Sequence, residues 1–169
     1  MTSRPRSRRA PGIAIDILVQ STRWRAAPAA GRTVRNAIAA AAAETRGPAE
    51  LSVVLTDDAG IRTLNRRWRR RNEPTNVLSF ASQAGGVKDG IPRLLGDIVI
   101  AYETVAREAS TQRKPFSHHL AHLAVHGFLH LLGYDHDSDD DAEAMEQLER
   151  TILARLDVPD PYVARDAGT

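Results

Sequence analysis

The chain has no cysteine among its 169 residues. Disulfides and thiolate metal sites are therefore excluded, and a reducing compartment such as the cytoplasm is allowed. No apolar run approaches the ~20 residues needed to span a bilayer. The first eleven residues carry Arg4, Arg6, Arg8 and Arg9, but no apolar segment with a cleavage site follows, and Ile13 to Val19 is too short and too strand-like for a signal. Internal repeats and a linker to a second domain are also missing. What is present is 42% apolar and 26% charged, the composition of one ordinary globular domain with a sizeable core. A cytoplasmic protein with no membrane partner is expected.

The net charge of +2 conceals an asymmetry. Residues 1–73 hold 15 Lys/Arg against 6 Asp/Glu, whereas residues 134–169 hold 3 against 11. A basic half attracts a polyanion by counterion release, but a solvated arginine-rich surface has the same composition. Charge by itself does not name the partner.

Periodicity gives the organisation. Ile13-Ala-Ile-Asp-Ile-Leu-Val alternates like a strand. Thr33 to Ala43 is alanine-rich and helical, and Leu51 to Leu55 forms a second strand. Asp57 or Asp58 caps a helix through Ile61, Leu64 and Trp68, ended by Pro74. Asn76 to Phe80 and Asp97 to Ala101 read as strands, with a Gly-containing loop at 83–92 between them. A helix follows from about Tyr102 to Thr111, then a histidine-rich helix capped by Ser117, then a last helix from about Asp140 to Leu156. These elements predict a single α+β domain over 12–162: a four-stranded sheet, about five helices and a central histidine-bearing helix packed beneath the sheet. Residues 1–11 and 163–169 are expected to be disordered tails.

The histidine helix carries the chemistry. His126 and His130 are four apart, so their imidazoles share one helix face about 6 Å apart along the axis. Gly133 can take positive φ and turn the chain so that His136 returns toward the pair. Leu123, Val125, Phe128, Leu129, Leu131 and Leu132 would bury these rings, and a shared metal offsets the lost solvation of several imidazoles. Three neutral nitrogen ligands with a fourth position open describe a catalytic zinc site; nickel, cobalt and iron also bind imidazole. The i+4 stripe continues upstream. His118 lies too far from His130 in height and angle and reads as surface or cap, and His119 stays ambiguous. His122 reads as a proton-relaying or substrate-side group beside the ligands, or as a plain core histidine.

Asp135 and Asp97 are candidates to accept the second N–H of a ligating imidazole; Asp97 equally suits a strand-end loop. Asp137, Asp139, Asp140 and Asp141 resemble a second acidic site but precede a helix, where aspartates cap N–H groups and oppose the macrodipole. Zinc peptidases place a Glu directly after the first helical His as general base. Here that position is Gly127, which weakens a peptidase reading and is expected to leave open space near the metal.

Residues 126–136 match without a gap the pattern His-Gly-x-x-His-x-x-Gly-x-Asp-His. Leu64-Asn65, Trp68-Arg69, Pro74 to Phe80 and Gly96-Asp97-Ile98 continue the likeness, as do Ala142, Met145-Glu146, Glu149, Ile152-Leu153 and Pro161-Tyr162. Over about residues 50–162 the chain resembles the bacterial YbeY-type endoribonucleases that process ribosomal RNA. Trp68 departs from the tyrosine often found at its position, and Arg70-Arg71-Asn72-Glu73 is unusually rich in arginine. The resemblance implies that His126, His130 and His136 bind one zinc ion and that Arg69 is the functional arginine. It further implies maturation of the small-subunit (16S) rRNA 3′ end and ribosome quality control. The partners would be precursor rRNA, the small ribosomal subunit and its assembly factors.

The residue chemistry is compatible with that function. Zinc acidifies a bound water and polarises a phosphoryl oxygen, while a guanidinium such as Arg69 can grip two phosphate oxygens. The attacking group is expected to be water activated at the zinc, with the RNA's own 2′-hydroxyl as the alternative. Arg66, Arg70 and Arg71 make a basic face suited to single-stranded RNA, and Trp68 either stacks a base there or belongs to the core. Two other readings compete: a ribosome-assembly RNA-binding factor with a structural metal, and a zinc peptidase.

Overall fold

The computed structural model describes residues 12–45, 47–83 and 91–163. The tail expected at 1–11, almost all of that at 163–169 and the middle of the 83–92 loop lie outside the described residues.

Four strands form one mixed sheet. β1 (Ile13–Val19) and β4 (Arg93–Ala101) each run parallel to β2 (Ala49–Thr56), and β3 (Val77–Ala81) closes the sheet antiparallel to β4, giving the order β1-β2-β4-β3. In β1 the isoleucines at 13, 15 and 17 face the core while Ala14, Asp16 and Leu18 are exposed, the alternation of an edge strand covered on one side. β4 is central and reads instead as a continuous buried run from Ile98 to Ala101.

The alternation in β4 assigns the covering helices. Ile98 and Ile100 join the main core, whereas Val99 and Ala101 pack with Ile61 of α2 (Asp58–Arg69) on the opposite face. The main core is closed by α1 (Ala30–Ala41) and by α4 (Phe116–Leu131), the histidine helix. α3 (Tyr102–Thr111) and α5 (Asp139–Ala154) flank α4, which touches α1, α3, α5, β3 and β4. An α+β domain with a central histidine helix is thus what the chain folds into, as its periodicity predicts.

Several boundaries differ for local reasons. α1 begins at Ala30, three residues before Thr33, and takes Gly31 into its first turn. Ser117 does not cap α4; the helix starts at Phe116, and the Pro115 carbonyl accepts from the His118 and His119 amides. For α5 the cap is Ser138, which accepts from the Asp141 amide at 3.1 Å, and Asp139, Asp140 and Asp141 fill the first turn. There they oppose the positive end of the helix. Asp57, rather than Asp58, caps α2 through the Gly60 amide at 2.9 Å. A short 3-10 turn at Thr22–Ala26, not expected from the sequence, buries Trp24 and lets its indole N–H donate to the Thr56 carbonyl at 2.7 Å.

Gly127 corrects an expectation. It is buried, and a Cβ built there would lie 2.9 Å from Ile98 Cγ2, 3.2 Å from Ser79 Oγ and 3.4 Å from Val77 Cγ2. The position after His126 therefore faces the sheet and opens no space beside the ligands. Its carbonyl accepts from Ser79 Oγ at 3.0 Å, tying α4 to β3.

Candidate metal centre

The helical spacing brings His126 and His130 together. Their Nε2 atoms are 3.0 Å apart. Gly133 adopts φ 100° and ends the run: its amide bonds the His130 carbonyl at 3.0 Å, and the Tyr134 amide bonds the Leu129 carbonyl at 3.1 Å. This left-handed termination returns the chain along its own axis. His136 Nε2 thereby reaches 3.5 Å from His126 Nε2. The three ligand atoms all lie within 4.8 Å of one another.

Their far nitrogens decide what those atoms offer. His130 Nδ1 lies 2.8 Å from the Tyr134 carbonyl, which can only accept, so Nδ1 carries the proton. His126 Nδ1 lies 2.5 Å from Glu149 Oε1. Burial works to raise the Glu149 carboxyl, but the hydrogen bonds from His122 and His126 outweigh it and hold the group far below the usual carboxylate range. An ionised carboxylate also only accepts, so His126 Nδ1 is a donor too. Burial and the neighbouring His126 push the His130 imidazole below its ordinary value, against its protonation. With Nδ1 of both rings donating, the two Nε2 atoms face each other at 3.0 Å, placed so that one cation between them could take a lone pair from each. Two ligands on a tetrahedral ion with Zn–N bonds of about 2.05 Å stand roughly 3.3 Å apart, and the two separations seen here bracket that figure. The donor set fits zinc.

Glu149 is the residue that sequence reasoning missed. It is fully buried in α5, with one oxygen on His126 and the other on His122 Nε2 at 3.2 Å and on the Tyr162 hydroxyl. A signal existed: Met145, Glu149, Ile152 and Leu153 follow the apolar stripe of α5, and a carboxylate in such a stripe is rarely buried unpaired. The carboxylates expected in this role lie elsewhere. Asp97 is exposed on β4, and Asp135 Oδ1 accepts from the Asp137 amide at 3.2 Å. Neither bonds a ligand imidazole.

His122 is likewise tied. Its Nε2 faces Glu149 and Tyr162, its Nδ1 is buried without a partner, and burial lowers its proton affinity against the opposing pull of Glu149. That geometry suits a support for Glu149 rather than a proton relay to substrate. His122, His126 and Glu149 also cluster within 4.8 Å, but their facing atoms already bond one another. His119 is buried, with Nε2 on Glu108 Oε1 at 3.1 Å, and His118 is half-buried.

Arg69 reaches the same place from α2. Its Nη2 donates to the Ser79 carbonyl at 3.0 Å, and its guanidinium lies 5.6 Å from the centre of the Phe80 ring. It lines a cleft of about 670 Å³ together with Trp68, His126, His130, Tyr134 and Asp135. Trp68 is 60% exposed on that wall and does not belong to the core. Arg66, Arg70 and Arg71 are exposed at the end of α2 and beyond it, outside the cleft lining.

These elements coincide with a known pattern. A family model described as endoribonuclease YbeY matches residues 19–157. A protein named endoribonuclease YbeY from Nitrobacter winogradskyi is 59% identical over 91% of this chain and 84% of its own. One of the same name from Rhodopseudomonas palustris strain BisA53 is 57% identical over 90% of this chain and 92% of its own. A Thermotoga maritima protein solved in solution shares the fold, with a TM-score of 0.55 at 22% identity, over 92% of this chain and 99% of its own. The family match runs through every element that carries a candidate ligand histidine or Arg69, and the chain belongs to the endoribonuclease YbeY family.

Proposed function

We propose that the protein is a zinc-dependent endoribonuclease that hydrolyses phosphodiester bonds of single-stranded RNA. The observation that carries the reading is the convergence, in one cleft, of His126 and His130, whose Nε2 atoms face each other at 3.0 Å, with the Arg69 guanidinium. His126, His130 and His136 would hold one zinc ion per chain. When bound, zinc supplies a Lewis acid that acidifies water and polarises a phosphoryl oxygen.

The chain's own residues supply the rest. Glu149 and the Tyr134 carbonyl keep the His126 and His130 rings turned with Nε2 toward the ligand site. Arg69 is held along the cleft wall by Ser79 and Phe80, and its remaining N–H groups can bind the phosphate as charge builds on its oxygens. Exposed Trp68 offers a face on which a base can stack. Arg66, Arg70 and Arg71 extend the positive surface beyond the cleft. Asp135, which lines the cleft, can orient water or substrate at its rim. The reading extends to maturation of the 16S rRNA 3′ end and ribosome quality control in the cytoplasm, with the small ribosomal subunit and its assembly factors as partners. Among the described residues no helix is long and apolar enough to cross a membrane.

The peptidase alternative loses ground at Gly127. A glutamate there would point into β3 and β4 and could not serve as general base. Metal analysis, paired with cleavage of a defined single-stranded RNA by the parent protein and Arg69→Ala, tests the proposal. About one zinc per chain is expected in both, with cleavage by the variant slowed by about 10²–10³-fold. A parent protein that binds RNA without cutting it would turn the reading toward an assembly factor with a structural metal.

A further inference from the structure

The ligand histidines do not sit at the end of a cleft; they divide two. On the side away from Arg69 a larger cavity, about 930 Å³, is lined by His122, His126 and His136 and runs outward to Arg113, Lys114 and His118. Its size lies in the range that accommodates nucleotide-sized ligands. His126 lines both cavities.

The charges on this second wall are unequally committed. Its carboxylates are each engaged within the protein. Glu108 takes Asn76 Nδ2 at 2.9 Å and His119 Nε2 at 3.1 Å. Asp160 forms an ion pair with Arg150 Nε at 3.1 Å and accepts from the Tyr162 amide at 2.8 Å, and Glu146 lies 4.0 Å from Arg150. Arg113, by contrast, is exposed and has no ion pair among the described residues. It sits in a left-handed conformation, φ 53°, in the turn that ends α3, where the Arg113 amide bonds Ser110 and the Lys114 amide bonds Ala109. That turn sets two adjacent cations at the cavity mouth. Lys114 is close enough to both Glu108 and His122 to favour the ionised carboxyl of the one and the neutral imidazole of the other.

From these placements we infer that the Arg113–Lys114 cleft is a second RNA-binding site, which holds the strand by its phosphates on the side of the cut opposite Arg69. The inference rests on the endoribonuclease reading and deepens it. An enzyme that cuts within a chain must hold RNA on both sides of the broken bond, and the two cavities meeting at His126 provide both.

Two variants test the site. Arg113→Gly removes the guanidinium while suiting the left-handed backbone, and Lys114→Met keeps the aliphatic stem without the charge. In the first arm, binding of a fluorescent single-stranded oligonucleotide is followed by anisotropy against salt. Each lost phosphate contact should flatten the log–log slope by about 0.7, so the double variant should lose about 1.4. In the second arm, cleavage is compared on a long RNA and on RNAs trimmed to leave a single nucleotide beyond the cut on one side or the other. The double variant should raise KM on the long RNA by about tenfold. That penalty should vanish on one of the two trimmed substrates and persist on the other. An unchanged salt slope overturns the inference, as does a penalty equal on all three RNAs. If the parent protein cuts no RNA, the endoribonuclease reading fails, and the salt slope still decides whether this cleft binds the strand.

Discussion

α4 carries two partly buried histidine–carboxylate pairs seven residues apart, and they do different things. His119 meets Glu108 of α3 at 3.1 Å, and His126 meets Glu149 of α5 at 2.5 Å. Each is an imidazole N–H donor facing a carboxylate from a neighbouring helix. The difference lies at the other nitrogen. His119 Nδ1 is buried with no partner, so its pair ends in the protein interior, while Asn76 also holds Glu108 and joins the start of β3 to α3. His126 Nε2 points at two more imidazoles. The same pair is a structural tie in one place and fixes the tautomer of a candidate metal ligand in the other.

Deleting each histidine probes that contrast most severely. His126→Ala should abolish stoichiometric zinc binding and reduce RNA cleavage by at least about 10³-fold, the scale of losing a central catalytic group. His119→Ala should keep one zinc per chain and instead lower the melting temperature. Zinc lost equally from both variants, by metal analysis of folded protein, would erase the distinction.

A gentler cut separates the carboxylates. Glu149→Gln should weaken zinc binding by about 10–100-fold, the usual loss when a ligand's hydrogen-bonding partner is changed. Glu108→Gln should leave it within about threefold. Competition with a chelating dye reads both affinities.

Gly127, one residue beyond His126, tests whether the helix seats on the sheet as described. A methyl group at this position would lie 2.9 Å from Ile98 Cγ2, so Gly127→Ala should destabilise the fold by about 1–3 kcal/mol through overpacking. Denaturant unfolding checks it, and a variant as stable as the parent would contradict the close approach.

The smallest effect concerns pH. Burial opposes ionisation of Glu108, yet His119, Asn76 and Lys114 prevail and hold its carboxyl below the ordinary value. A depressed carboxyl contributes stability that is fully present above its unfolded value and is lost as pH falls through the folded one. The stability advantage of the parent over Glu108→Gln should therefore shrink on acidification below the usual glutamate range. A pH-independent difference would show that the pair contributes only packing.

The convergence of His126, His130 and His136 was legible because it depends on local rules. The i, i+4 spacing of His126 and His130 and the positive φ of Gly133 follow from helix geometry and from one glycine at a helix end. The α+β architecture followed from strand and helix periodicity in the same way. Glu149 was not legible by those rules, since its role depends on how α5 crosses α4, a contact between helices that spacing within either cannot report. Gly127 defies its sequence reading for a related reason. Its distance from the ligands along the chain suggested open space, but its direction on the helix points at Ile98 and Ser79. Trp68 followed the apolar face of α2 in sequence and still came to be exposed, because the last turn of α2 lines the cleft instead of packing on the sheet with Ile61 and Leu64.

The proposed chemistry requires that His126 and His130 each carry a proton on Nδ1 and give Nε2 to one metal ion. Long-range nitrogen–proton correlation spectra of the zinc-loaded protein measure this directly. Protonated Nδ1 and metal-shifted Nε2 resonances are expected for both rings, and a proton on Nε2 of either one would overturn the assignment.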